Sequence, residues 1–284
     1  MKKIIPRLLI FIIGLPLIAG IVLFLPYRSH LAMNITVILF TALGALEFAA
    51  ILGKQGIAIH PAEALILGIL GPLSLTINSS FGVEIPILPL VYILGAFWLL
   101  VSRVFGSTEK LTAYTVRTAA GFSVMIYPGL FMAWIVRMTM FPGAGRVILA
   151  FLLMVFANDS AAWAAGMLFG RNSRGIISAS PNKSIQGFAG GIIASILVGA
   201  GADIFLGDVF AANRLPRITA GILTGFCTAV AASLGDLAES ALKRSSGIKD
   251  SGNLIPGRGG VLDTIDSISL AAPVFYLLYQ IFYT

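Results

Sequence analysis

The residues best suited to chemistry crowd into one stretch of this chain, Ser233–Asp266. It holds five acids (Asp236, Glu239, Asp250, Asp263, Asp266) and four bases (Lys243, Arg244, Lys249, Arg258), in a chain only 11% charged overall. Acids and bases interleaved in this way suit a divalent cation holding a polyphosphate better than they suit an ion pathway. Asp236, Glu239 and Lys243 follow at i, i+3 and i+7, so a helix puts them on one face. Asp263 and Asp266, at i and i+3, share a face at the start of the next helix, where the helix dipole is positive. Brought together, these carboxylates repel one another unless a cation shields them. All-oxygen ligands point to Mg2+ or another hard divalent cation. No Cys/His cluster offers a zinc site, since Cys227 is the only cysteine and His30 and His60 are far apart.

The connection between the two helices carries Pro256-Gly257 and Gly259-Gly260. Glycines there let backbone N–H groups approach an anion. Lys243, Arg244, Lys249 and Arg258 can neutralise phosphate oxygens. The plainer reading of any one of these residues is a polar hairpin between two spans, with Asp263 and Asp266 as helix-start residues. The whole cluster is more than a hairpin needs.

The elements that must position this cluster are apolar. The chain is 58% hydrophobic, and apolar runs of the length a helix needs to cross a bilayer recur throughout. Backbone groups in lipid must be satisfied within the segment, so the expected fold is an all-α integral-membrane bundle. The short alternating segments of a β-barrel are missing. About nine transmembrane helices are expected, at 8–26, 31–53, 61–77, 84–102, 112–137, 146–170, 186–206, 217–242 and 266–283. The third and fourth are short and bounded by proline. We divide the chain into N-terminal transmembrane helices, 1–145, and a C-terminal catalytic region with its polar loops, 146–284. The basic, then apolar, N-terminus is expected to stay as a membrane anchor.

Lysine and arginine set the orientation. With nine spans, Arg28, Arg137, Arg146, Arg214 and Arg217 fall on one side and the rest of the 19 basic residues on the other. The basic-rich side, which includes Lys2, Lys3, Arg7, Arg103 and Lys110, is read as cytoplasmic, with the N-terminus on it. The net charge of +7 then reflects topology and anionic lipid headgroups, with no nucleic acid as partner. The same side carries the loop Arg171–Gly187 and the charged stretch, so cytoplasmic nucleotides can reach both.

Asp159 falls near the middle of the sixth expected span. A mid-membrane acid costs about 2.5–3.5 kcal/mol on insertion scales, so it should face the bundle interior or a water-filled cavity. Glu47 and Asp203 are isolated and receive no role; Glu47 is expected to pair with a polar group in the N-terminal half. Neither a Walker A sequence nor a Rossmann glycine fingerprint is present, so nucleotide binding cannot rest on those.

From Ser240 to Asp266 the chain reads Ser240-x-Leu242-Lys243-Arg244-x4-Lys249-Asp250-x-Gly252-x2-Leu254-Ile255-Pro256-Gly257-x-Gly259-Gly260-x2-Asp263-x2-Asp266. This resembles the signature of the phosphatidate cytidylyltransferase (CDP-diglyceride synthase) family. Ser180-Pro181-Asn182-Lys183-Ser184-x2-Gly187 is similar to a second family segment, with Asp159 preceding it as a family Asp does. Three positions depart from the pattern. Arg258 stands where His is usual and Thr264 where a base is usual, while Ile185-Gln186 replace an aromatic-Glu pair. No acid/base role is therefore assigned at 258.

The resemblance implies CTP plus phosphatidate giving CDP-diacylglycerol and pyrophosphate, in phospholipid synthesis, with Mg2+. The implied enzyme is a homodimer, multi-pass in the cell inner (plasma) membrane among its lipids, with the active site facing the cytoplasm. Asp236, Lys243 and Asp263 are the expected catalytic residues. Asp236, Glu239, Asp263 and Asp266 are the expected metal ligands. Asp159, Ser180, Asn182, Lys183, Arg244, Lys249 and Arg258 are expected to line the substrates. Two other readings stand beside this one. A CTP-dependent polyprenol or lipid-alcohol kinase would release CDP instead of pyrophosphate. A secondary transporter would use Asp159, Glu47 and Asp203 as coupling sites, but no internal repeat supports it.

Overall fold

A computed structural model describes residues 13–102, 104 and 112–284. Lys2, Lys3, Arg7, Arg103, Lys110 and the start of the first expected span lie outside the described residues. Among the described residues the regular structure is helical, with two isolated β-bridges, Arg174 to Ser184 and Ile255 to Gly259. The helices are α1 (Leu15–Phe24), α2 (Tyr27–Lys54), α3 (Pro61–Phe81), α4 (Ile87–Val101), α5 (Tyr114–Met138), α6 (Ala144–Phe169), α7 (Ile185–Leu206), α8 (Arg217–Ser245) and α9 (Leu262–Tyr283). Seven of them are long and apolar enough to cross a membrane; α1 and α4 are apolar but shorter. The 15 residues of α4 reach about 22 Å at the α-helical rise. That falls short of a hydrocarbon core of about 30 Å. The architecture is the all-α polytopic membrane fold expected.

Local chemistry sets the helix ends. Pro61 opens α3, where its missing N–H costs nothing. His60 Nδ1 accepts from Ala62 N at 3.2 Å, and Gly82 closes the helix with φ of 67°. Ser184 caps α7 by accepting from Gly187 N at 3.1 Å. Inside α5, Pro128 lies in a π-helical turn, Met125–Leu130. The proline ring clashes with the preceding turn of a regular α-helix, and the wider turn accommodates it. Tyr92 Oη donates to Met125 O in that turn at 3.2 Å.

The chain divides into two compact units. The first comprises residues up to Arg137 together with Ser245–Ile265. Phe48, Ile51, Leu99, Ile135, Leu262 and Ile265 are among its fully buried side chains. The second comprises Met138–Arg244 and Asp266–Thr284. Its core includes Ile148, Phe151, Met154, Phe210 and Phe275. Phe210 meets Tyr279 and Tyr283 edge-on, and Tyr279 Oη donates to Val209 O at 2.5 Å. Residues Ser245–Ile265 group with the N-terminal helices.

Within the second unit, α7 and α8 touch backbone to backbone. A Cβ on Gly225 would run into Ser195 O, which lies beside the bond from Ser195 Oγ to Gly225 O (2.9 Å). Gly235 does the same for α8 and α9, since a Cβ there would meet Asp266 O. That close approach sets Asp236 beside Asp266. Overpacking such a contact costs about 1–3 kcal/mol. We expect Gly225→Val to lower the unfolding midpoint in detergent accordingly; a midpoint equal to wild type would mean α7 and α8 do not touch there.

Candidate active site

In the second unit, α6, α8 and α9 bring together four carboxylates, Asp159, Asp236, Glu239 and Asp266. Asp236 and Glu239 lie one turn apart on α8, as their spacing required. Glu239 is fully buried and pairs with Lys243, four residues on, itself only 8% exposed. Asp236 Oδ2 pairs with Lys183 Nζ at 2.7 Å, and its Oδ1 accepts from Ser240 Oγ at 3.4 Å. Asp266 is buried. It has Asp236, Glu239 and Asp159 as electrostatic neighbours, and its Oδ1 accepts from Ser267 N at 2.6 Å. Asp159 Oδ1 accepts from Asn158 Nδ2 (3.2 Å) and Ser267 Oγ (3.4 Å). Asn158 and Ser267 were not singled out in the sequence, because neither carries charge or a motif signal.

Lys183 reaches Asp236 because a compact turn presents it just before α7. Lys183 N donates to Ser180 O (3.1 Å), Ser180 N to Ile177 O (3.0 Å), and Gly175 N to Pro181 O (2.8 Å). Ser180 is half-buried and Asn182 is exposed. Gln186, where the family segment has Glu, accepts from Ser173 Oγ. Its amide therefore serves the turn.

In the first unit, the loop between α8 and α9 is organised by carboxylates. Asp263 Oδ2 accepts from Ser251 N (2.8 Å), Ser251 Oγ (2.8 Å) and Gly260 N (2.7 Å). Pro256-Gly257 forms a tight turn closed by Arg258 N to Ile255 O at 3.2 Å, with Gly257 at φ 78°. Proline followed by a positive-φ glycine is the pattern of a type II turn. Arg258 is half-buried and Lys249 exposed; Arg244, in the second unit, is exposed. Glu47, expected to pair within the N-terminal half, instead accepts from Ser251 Oγ and from the Val261 and Leu262 amides. The reason is supply: those donors stand at a helix start, and the loop folds onto α2. The side chain of Asp203 lies outside the described residues.

Of the expected metal ligands, Asp236, Glu239 and Asp266 thus gather in the second unit, and Asp263 is fixed in the first. Among the described residues, no three His, Cys, Asp or Glu side chains form a ready-made cation cage. The donor set still fits Mg2+, which takes one or two carboxylates and completes its shell with water and substrate phosphates. Chemically, the cluster offers acids able to hold a hard cation and lysines able to meet an anion.

The chain matches the model of the cytidylyltransferase family over residues 5–282. It belongs to that family. It is 39% identical over 133 residues to the phosphatidate cytidylyltransferase of Haemophilus influenzae, covering 47% of this chain and 45% of that protein. Identity to the phosphatidate cytidylyltransferase of Thermotoga maritima is 34% over 177 residues, covering 61% of this chain and 64% of that protein. Identity to the one from Mycobacterium leprae is 40% over 172 residues, 61% of this chain and 48% of that protein. The chain thus spans about half the length of the curated relatives it matches.

For this family member, the buried pair on α8 makes a direct prediction. Removing one partner of a buried ion pair costs about 3–5 kcal/mol, because the other charge is stranded. Lys243→Met should destabilise the protein by that amount, seen as a lower unfolding midpoint in detergent, and Lys243→Met combined with Glu239→Gln should recover most of it. A single variant as stable as wild type would contradict the pair.

Proposed function

We propose that the chain is an integral-membrane nucleotidyltransferase that converts CTP and phosphatidate to CDP-diacylglycerol and pyrophosphate. The observation that carries this reading is the paired lysine–carboxylate cluster, Lys183 with Asp236 and Lys243 with Glu239, in a member of the cytidylyltransferase family. The names of its relatives point the same way.

In this reaction a phosphate oxygen of phosphatidate attacks the α-phosphorus of CTP. The bond from that phosphorus to the oxygen bridging the β-phosphate breaks, and pyrophosphate leaves with the electron pair. The lipid phosphate is already an anion, so no protein nucleophile is required. What the protein must supply is placement of two anions and neutralisation of their charge. Lys183 and Lys243 are placed to exchange carboxylate partners for phosphate oxygens. Arg244, Lys249 and Arg258 add positive charge around the polar loop, and Ser180 and Asn182 add polar contacts in the turn before α7. Asp236, Glu239 and Asp266 would hold Mg2+. When bound, that ion supplies further charge neutralisation at the phosphates.

The bias of basic residues supports a cytoplasmic site in a cell inner membrane. The family resemblance supports a homodimer.

The test is the purified protein in detergent with CTP, phosphatidate and Mg2+. We expect CDP-diacylglycerol and pyrophosphate in equal amounts, and no turnover after chelation of the metal. Asp236→Asn should cost about 100-fold or more in kcat, the scale of losing one transition-state contact, without unfolding the protein. Release of CDP with a phosphorylated lipid alcohol would replace this reading with a kinase, and full turnover by Asp236→Asn would refute the assigned role.

A further inference from the structure

Glu47 is an acid inside an apolar helix, and the proposed chemistry does not use it. Its carboxylate nevertheless takes three hydrogen bonds from a segment two hundred residues away. Oε1 accepts from Val261 N at 3.0 Å; Oε2 accepts from Leu262 N at 2.8 Å and from Ser251 Oγ at 2.9 Å. Leu262 is the first residue of α9. The first N–H groups of a helix have no partner within it, and a negative charge beside them is favourable. Glu47 therefore caps α9 from another helix.

The same carboxylate explains two glycines of the polar loop. A Cβ on Gly252 would collide with Glu47 Oε1, and one on Gly260 would collide with Glu47 Oε2 and Ser251 Oγ. The loop backbone lies directly against Glu47. Ser251 then links Glu47 to Asp263. Its one hydroxyl proton is shared between Glu47 Oε2 at 2.9 Å and Asp263 Oδ2 at 2.8 Å, while its N–H holds the same Asp263 oxygen at 2.8 Å. Every one of these bonds to Asp263 lands on Oδ2, so the loop fixes the direction in which that carboxylate points.

We infer that Glu47 is a positioning residue that sets the Asp263 carboxylate through Ser251 and the amides at the start of α9. The inference rests on the proposed reaction for its kinetic consequence, but not for the contact itself. Glutamine at 47 keeps the size and replaces one accepting oxygen with an NH2 group. That group must face Val261 N–H, or else Leu262 N–H and Ser251 Oγ.

The experiment pairs two readouts on the full-length chain in detergent, for wild type, Glu47→Gln and Ser251→Ala. Amide hydrogen exchange is followed over 251–262, with α6 as internal reference, and kcat and KM are measured with CTP and phosphatidate. A hydrogen bond to a charged group is worth enough for an effect of about 10-fold or more. In Glu47→Gln we expect exchange over 251–262 to rise by that factor with α6 unchanged, and kcat to fall similarly at unaltered KM. Ser251→Ala should lower kcat in the same way while Val261 and Leu262 stay protected. Folded Glu47→Gln with wild-type exchange, or with raised exchange and wild-type kcat, overturns the inference. Should Glu47→Gln not fold, a wild-type kcat in Ser251→Ala overturns it equally. A wild-type protein that makes no CDP-diacylglycerol removes the proposed reaction, and the exchange readout then still decides whether Glu47 holds the loop.

Discussion

A carboxylate among apolar helices has to be met by a proton donor or a cation. Ionised and alone, it would carry a desolvation penalty that no packing around it repays. The second unit places four such groups together, and its construction follows from meeting them. Glu239, fully buried, has Lys243 one turn along the same helix. Asp236 has Lys183, delivered by the turn before α7. Asp159 has an amide and a hydroxyl. Asp266 is buried with the other three as its electrostatic neighbours. In the proposed reaction, a phosphate that drew either lysine away would leave its carboxylate in need of a cation.

The first unit meets the same constraint with backbone amides. The segment Ser245–Ile265 brings its N–H groups to Asp263 and Glu47, and Gly252, Gly259 and Gly260 stand where a side chain would collide with those carboxylates. A loop built around acceptors in this way has a fixed shape. Its Pro256-Gly257 turn and its bonds to Asp263 hold the residues that precede α9.

Much of this was legible in the sequence, for identifiable reasons. Length and apolarity alone mark membrane helices, so the all-α polytopic fold could be read directly, and seven of the described helices are long and apolar enough to cross a membrane. The i, i+3, i+7 spacing put Asp236, Glu239 and Lys243 on one face, and the structure adds their pairing. What escaped were contacts between distant segments. Nothing local says that Lys183 reaches Asp236, or that Asn158 and Ser267 serve Asp159. Glu47 looked isolated because its donors are main-chain amides, which carry no residue signature. The widened turn around Pro128 was hidden too, because a proline in a span predicts a perturbation without naming its form.

The proposed chemistry requires the buried acids on α8 and α9 to hold a divalent cation together with the nucleotide phosphates. Binding of Mn2+ to the purified protein, followed by its paramagnetic resonance with and without CTP, tests this most directly. CTP is expected to tighten Mn2+ binding to the wild type, and Asp266→Asn to abolish the tightening. Equal CTP-dependent binding by wild type and Asp266→Asn would contradict that requirement.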